Sequence, residues 1–110
     1  MHTMNVKTKY YNLLKSGEKT IELRLFDEKR QKIKIGDEIT FFNLSNPEDN
    51  FKAVVLNLHR AESFTKLCEI ITPAQAGFFS EKELIEVLEE FYTPAAQEKF
   101  GVVGIEIKKV

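Results

Sequence analysis

Residues Thr20 to Leu25 read Thr-Ile-Glu-Leu-Arg-Leu, a strict alternation of polar and apolar side chains. A period of two is the signature of a β-strand with one apolar face. It turns Ile21, Leu23 and Leu25 toward a core and puts Thr20, Glu22 and Arg24 together on the opposite face. The chain has 110 residues, room for a single compact domain over 1–110. In so small a domain an acid and a base two residues apart on one strand face either solvate a surface or line a site.

The neighbouring segments set what this strand can pair with. Met4 to Val6 reads as a short strand, and Thr8 to Ser16 as a helix with Tyr10, Leu13 and Leu14 on one side and Gly17 in the C-cap position. Asp27 to Ile33 reads as a short helical turn, and Ile35-Gly36-Asp37 as a turn into a strand over Glu38 to Leu44. Ser45 to Asn50 (SNPEDN) is dense in turn-forming residues and reads as a loop, with Phe51 to Leu58 returning antiparallel. The second half is more helical. Phe64, Leu67 and Ile71 have helical spacing over Ser63 to Ile71, and Thr72 to Phe79 reads as irregular. A capping box at Ser80 and Glu83 opens a helix to about Tyr92 that buries Leu84, Leu88 and Phe91. Thr93-Pro94 starts a further helix that Gly101 ends, and Val102 to Lys109 closes the chain as a strand with Val103, Ile105 and Ile107 on one face. The strands are too many for a helical bundle and do not alternate regularly with helices. The fold class is α+β, a small mixed sheet or β-barrel flanked by helices.

Composition narrows the function classes. The chain is 43% hydrophobic and 30% charged, an ordinary globular mix. A net charge of −1 excludes a protein that coats nucleic acid by bulk charge. The charge is uneven, however. Residues 1–40 hold nine Lys/Arg against six Asp/Glu, and residues 62–101 hold three against eight. The basic first third suits an anionic or acceptor-rich ligand. The lone cysteine, Cys68, forms no internal disulfide and suits a reducing compartment. His2 and His59 have no ligand spacing, so no metal and no cofactor is expected. There is no glycine-rich phosphate loop, no G-x-S-x-G elbow, no apolar run long enough for a membrane, and no signal peptide at the start. The expectation is a soluble cytoplasmic protein.

The polar run from Gly17 to Arg24, followed by Asp27 to Gln31, is the remaining chemistry. Arg24 offers a planar fork for a phosphate or a base edge, Glu22 can accept from an exocyclic amino group, and Lys19 in the preceding turn can reach over the same face. The competing reading is a solvated face with a salt bridge worth about 0–1 kcal/mol. The pattern alone leaves the two open.

The run Gly17-x-Lys19-Thr20-x-Glu22-x-Arg24, followed by Lys29-Arg30-Gln31-x-Ile33-x-Ile35-Gly36-Asp37-x-Ile39-x-Phe41, resembles the ASCH domain of the PUA-like superfamily. The ending Phe91-Tyr92 … Gln97-Glu98-Lys99-Phe100-Gly101-Val102-Val103-Gly104-Ile105 is similar to the close of its short bacterial members. The resemblance spans nearly the whole chain. It implies a PUA-like small mixed β-barrel flanked by helices, with a cleft beside the strand that carries Lys19, Glu22 and Arg24. It also implies RNA or a nucleotide or nucleoside as the ligand. On that reading Arg24, Lys29 and Arg30 contact phosphate, Thr20 joins the binding face, Glu22 reads a base edge, and Phe42 or Tyr92 stacks.

Some short members are amidohydrolases of N4-acetylcytidine, which supplies the alternative reading. There a Lys matching Lys19 accepts the proton, a Thr three residues on is the nucleophile, and a later Glu is the proton donor. This chain has Glu22 in place of that Thr, and Gln75-Ala76-Gly77-Phe78 where the later Glu belongs. A catalytic version would use Glu22 as general base on a water and Lys19 to hold the developing oxyanion.

Overall fold

The computed structural model describes residues 2–110. The elements in chain order are β1 (His2–Val6), α1 (Thr8–Ser16), β2 (Ile21–Leu25), α2 (Glu28–Gln31), β3 (Glu38–Asn43) and β4 (Asn46–Ala61). They are followed by α3 (Phe64–Leu67), a 3₁₀ turn (Pro73–Ala76), α4 (Glu81–Phe91), α5 (Pro94–Phe100) and β5 (Val102–Lys109). The five strands form one mixed sheet in the order β1-β3-β4-β5-β2, with β1 parallel to β3 and every other pairing antiparallel. The fold is α+β, a five-stranded sheet curled into a half-barrel and flanked by helices.

Two register shifts accompany the curl, one between Phe42 and Asn43 and one between Val55 and Asn57. Both put the extra residues on β4, three in the first (47–49) and one in the second, and bend the strand there. Leu56 is the extra residue of the second bulge and is turned out to solvent. The curl brings β1 and β2, the two ends of the strand order, close enough for one side chain to bridge them. Arg24 Nη2 on β2 donates to the Asn5 carbonyl on β1 at 2.8 Å.

The core has two parts. One fills the inside of the curl, with Met4, Val6, Tyr11, Leu14, Ile39, Phe41, Phe51, Val55, Val103 and Ile105. The other lies between the outside of β2 and β5 and the helices, with Ile21, Leu23, Phe64, Leu67, Phe78, Leu84, Leu88 and Val102. The alternation read over Thr20 to Leu25 therefore has a definite geometry. Ile21 and Leu23 face the helices, while Glu22 and Arg24, opposite Ile105 and Val103, face into the curl. Gly104 on β5 permits the close approach of β2. A Cβ there would come within 2.9 Å of Ile21 Cγ2.

Several boundaries differ from the sequence expectation, each for a physical reason. Ser45 to Asn50 is not a loop. The hairpin turn is only Leu44 and Ser45, and β4 starts at Asn46. The turn closes because Asn43 Oδ1 accepts the Ser45 N–H and the Thr8 hydroxyl, and the Asp49 carboxylate fastens the arm by accepting from Tyr11 and Lys15. β4 also continues past Leu58 to Ala61, and β1 begins at His2, held by parallel pairing with β3. The helix expected over Ser63 to Ile71 is helical only over Phe64–Leu67, after which Glu69 and Ile70 tighten into three-residue turns. The Thr72 to Phe79 segment contains a 3₁₀ turn with a true capping box between Thr72 and Gln75. At Ser80 only half of the expected box forms: the Ser80 hydroxyl accepts the Glu83 N–H.

Candidate functional site

The linker between α1 and β2 sets up the site. Gly17 caps α1 in the left-handed region, φ 89°, a conformation glycine adopts without strain. The chain then turns back so that the Lys19 N–H donates to the Leu13 carbonyl and the Thr20 N–H to the Gln75 carbonyl. Lys19 is thereby pulled inward and is only 4% exposed. Its stem lies on Gly77, where a Cβ would sit 3.1 Å from Lys19 Cδ. Its ammonium is 5.0 Å from the Tyr10 ring centre and 5.9 Å from that of Phe78.

Glu22 is the hub. Its Oε1 accepts from Lys19 Nζ at 2.8 Å, and its Oε2 accepts from Arg24 Nε at 2.9 Å and lies 2.8 Å from Arg24 Nη2. Two charged side chains this deeply buried, Lys19 and Glu22, are stable only as a paired set, since an isolated ion pays a large desolvation penalty. Burial by itself would raise the Glu22 pKa. The Lys19 and Arg24 charges, with the hydrogen bonds they donate, overcome it and bring the carboxyl down to about 2. Burial opposes the Arg24 charge as well, but Glu22, with smaller help from Tyr92 and Asp27, pushes its pKa up. At neutral pH the trio is one carboxylate between two cations.

The trio forms the floor of a cleft of about 160 Å³, close to the ~150 Å³ hollow that holds a benzene ring. Tyr10 and Phe78, with ring centres 5.5 Å apart, form one wall, and Tyr92, Val87 and Leu88 another. The mouth carries Leu44 and Phe91, both about half exposed, with the Lys7 ammonium 4.2 Å from the Phe91 ring centre. The lining thus holds three cationic side chains, Lys7, Lys19 and Arg24, against one carboxylate. The Glu22 oxygens are already engaged, whereas Arg24 Nη1 has no protein partner among the described residues.

Of the residues singled out in the sequence, Lys19, Glu22, Arg24 and Tyr92 meet in this cleft. Thr20 sits beside it, half-buried, with its backbone tied to Gln75 and Ile107, and does not line it. Lys29 is exposed on α2, and Arg30 is folded onto Asp27 at 3.1 Å; neither lines the cleft. Phe42 is half-buried on β3 and outside it. Lys7, Tyr10, Phe78 and Phe91 belong to the lining and were not singled out. Nothing in the one-dimensional pattern marks them, because the curl and the packing of α1 and α4 bring them together. Cys68 lies in the second core, its thiol pKa pushed up by burial and by Glu81, the opposite of what a reactive thiol needs. Among the described residues no helix is long and apolar enough to cross a membrane.

The comparisons with known proteins agree with this architecture. The model of the ASCH domain matches residues 4–110. The crystal structure of the hypothetical protein PH0355 is similar, at 34% identity and a TM-score of 0.86, covering 98% of this chain and 97% of that one. The solution NMR structure of protein PF0455 from Pyrococcus furiosus is similar at 33% identity and a TM-score of 0.77, covering 99% and 96%. No curated protein matches the chain.

Proposed function

The chain belongs to the ASCH domain family, and on that premise we propose that its cleft binds a nucleotide or the exposed nucleotide of a single-stranded RNA. One observation carries the reading. A ring-sized hollow with aromatic walls ends on two cations, Lys19 buried and Arg24 part-buried, whose shared counter-ion is already paired with both. Such a floor attracts oxygen acceptors, the walls suit a flat ring, and Lys7 at the mouth is placed for a phosphate.

The geometry favours binding over hydrolysis. A general base must be free to take a proton near the working pH. Glu22, brought down to about 2 and holding Lys19 and Arg24 with its two oxygens, is a poor candidate for one.

Titration of nucleoside monophosphates and a short single-stranded RNA at low salt tests the proposal. Binding is expected to weaken as salt rises, to be lost in Arg24→Ala, and to weaken in Lys7→Ala, a surface change that leaves the buried trio intact. No binding at low salt, or binding that both variants leave unchanged, overturns it. Release of cytidine from N4-acetylcytidine, dependent on Lys19, would establish the hydrolytic alternative instead.

A further inference from the structure

Gln97 is a buried polar side chain that does not line the cleft. It stands on α5, 3% exposed, and borders a separate open groove with Arg60, Ser63 and Glu98. Both ends of its amide are engaged by backbone. Its Oε1 accepts the Phe64 N–H at 3.0 Å, and its Nε2 donates to the Tyr92 carbonyl at 3.1 Å. Phe64 and Tyr92 also form a ring pair, with centres 5.8 Å apart. One buried amide thus ties the main chain of Tyr92, a wall of the cleft, and the main chain of the residue whose ring packs on it. Tyr92 lies between α4 and α5 in extended backbone, φ −129° and ψ 108°. Its N–H returns to the Leu88 carbonyl, and its own carbonyl has no partner but Gln97 among the described residues.

We propose that Gln97 is a positioning residue of the cleft, acting through Tyr92: it holds that ring at the spacing from Tyr10 and Phe78 that a flat ligand ring requires. The proposal rests on the nucleotide reading above and deepens it. A wall fixed through its backbone is in place before the ligand arrives, so less ordering is left to cost affinity on binding. A fully satisfied buried amide is also the kind of group that specifies one arrangement of the elements around it.

Calorimetric titration of the full chain with the common ribonucleoside monophosphates at low salt, combined with a double-mutant cycle, is the test. In Gln97→Ala, water from the neighbouring groove can reach the freed Phe64 N–H and Tyr92 carbonyl, so the fold is expected to persist while the ring loses its fixed place. Affinity is expected to fall on the order of tenfold, and by no more than in Tyr92→Ala, since stacking on one aromatic ring is of that size. In the Tyr92→Ala background, Gln97→Ala is expected to change nothing further. Gly36→Ala strains a turn outside the cleft and serves as the destabilised control, expected to keep full affinity. Unchanged affinity in Gln97→Ala, or an equal fall in the Tyr92→Ala background, overturns this proposal and leaves nucleotide binding standing. No binding by the wild type overturns both. Gln97→Met, which keeps the volume and removes both hydrogen bonds, reads the same cycle where Gln97→Ala does not fold.

Discussion

Replacing Glu22 with Gln removes the one negative charge that holds the buried Lys19 and the part-buried Arg24. The carboxyl moves from an ordinary 4.5 to about 2 on folding. At about 1.4 kcal/mol per pH unit this represents coupling on the order of 3 kcal/mol. Removal of one partner from a buried ion pair has a typical effect of about 3–5 kcal/mol, the same scale. For a chain of this size a loss of about 3 kcal/mol lowers the melting temperature by roughly 12 °C.

The pH dependence has a definite sign. A carboxyl whose pKa is depressed by folding contributes its full stabilisation above the unfolded value, 4.5, and loses it as pH falls toward about 2. The gap between wild type and Glu22→Gln is therefore widest at neutral pH and closes between pH 4.5 and about 2. The other carboxylates protonate in both proteins and cancel in the difference. Urea unfolding of the pair across this range, with equal m-values, reads the gap directly. A gap that stays constant with pH, or a variant as stable as wild type at neutral pH, would refute the argument that Glu22 acts through its charge.

Three further outcomes follow from the packing and ionisation. Gly104→Ala places a Cβ 2.9 Å from Ile21 Cγ2 and is expected to destabilise by about 1–3 kcal/mol through overpacking, read by thermal unfolding; an unchanged melting point contradicts the close approach of β2 to β5. Gly77→Ala and Gly36→Ala both force alanine into the left-handed region, φ 88° and 93°, each costing about 1–2 kcal/mol. Only Gly77→Ala also presses on Lys19, so nucleotide affinity should fall in that variant and hold in Gly36→Ala; equal affinities would separate Lys19 from binding. Burial, together with the Asp49 carboxylate that accepts its hydroxyl proton, pushes the Tyr11 phenol from 10.0 up to about 12. Its phenolate absorbance should rise well after that of an ordinary tyrosine, and a single transition near pH 10 would show that the hydroxyl is solvated.

Much of the site was legible along the chain, for a reason visible in β2. A strand has a period of two, so Glu22 and Arg24 had to share a face once Ile21 and Leu23 were committed to a core. The turn after α1 was legible too, because Gly17 stands where a helix ends. Composition misled at Ser45 to Asn50. Turn-forming residues there are recruited into β4 by hydrogen bonds from Tyr11 and Lys15 to Asp49, contacts that no local pattern announces. Lys29 and Arg30 carry the right charge for a phosphate, yet α2 holds them away from the hollow.

By itself, then, the order of residues determined most of the elements, the α+β class and the shared strand face of Glu22 and Arg24, because those follow from local periodicity and capping. Only the tertiary structure decided that the inner face of β2 is buried rather than wet. The curl of the sheet brings β1 to β2, and α1 and α4 supply Tyr10, Lys7 and Phe91 from distant parts of the chain. Burial in turn changes the chemistry. Away from water the Lys19 and Arg24 charges hold the Glu22 carboxyl ionised, and Glu22 in turn holds the Arg24 charge.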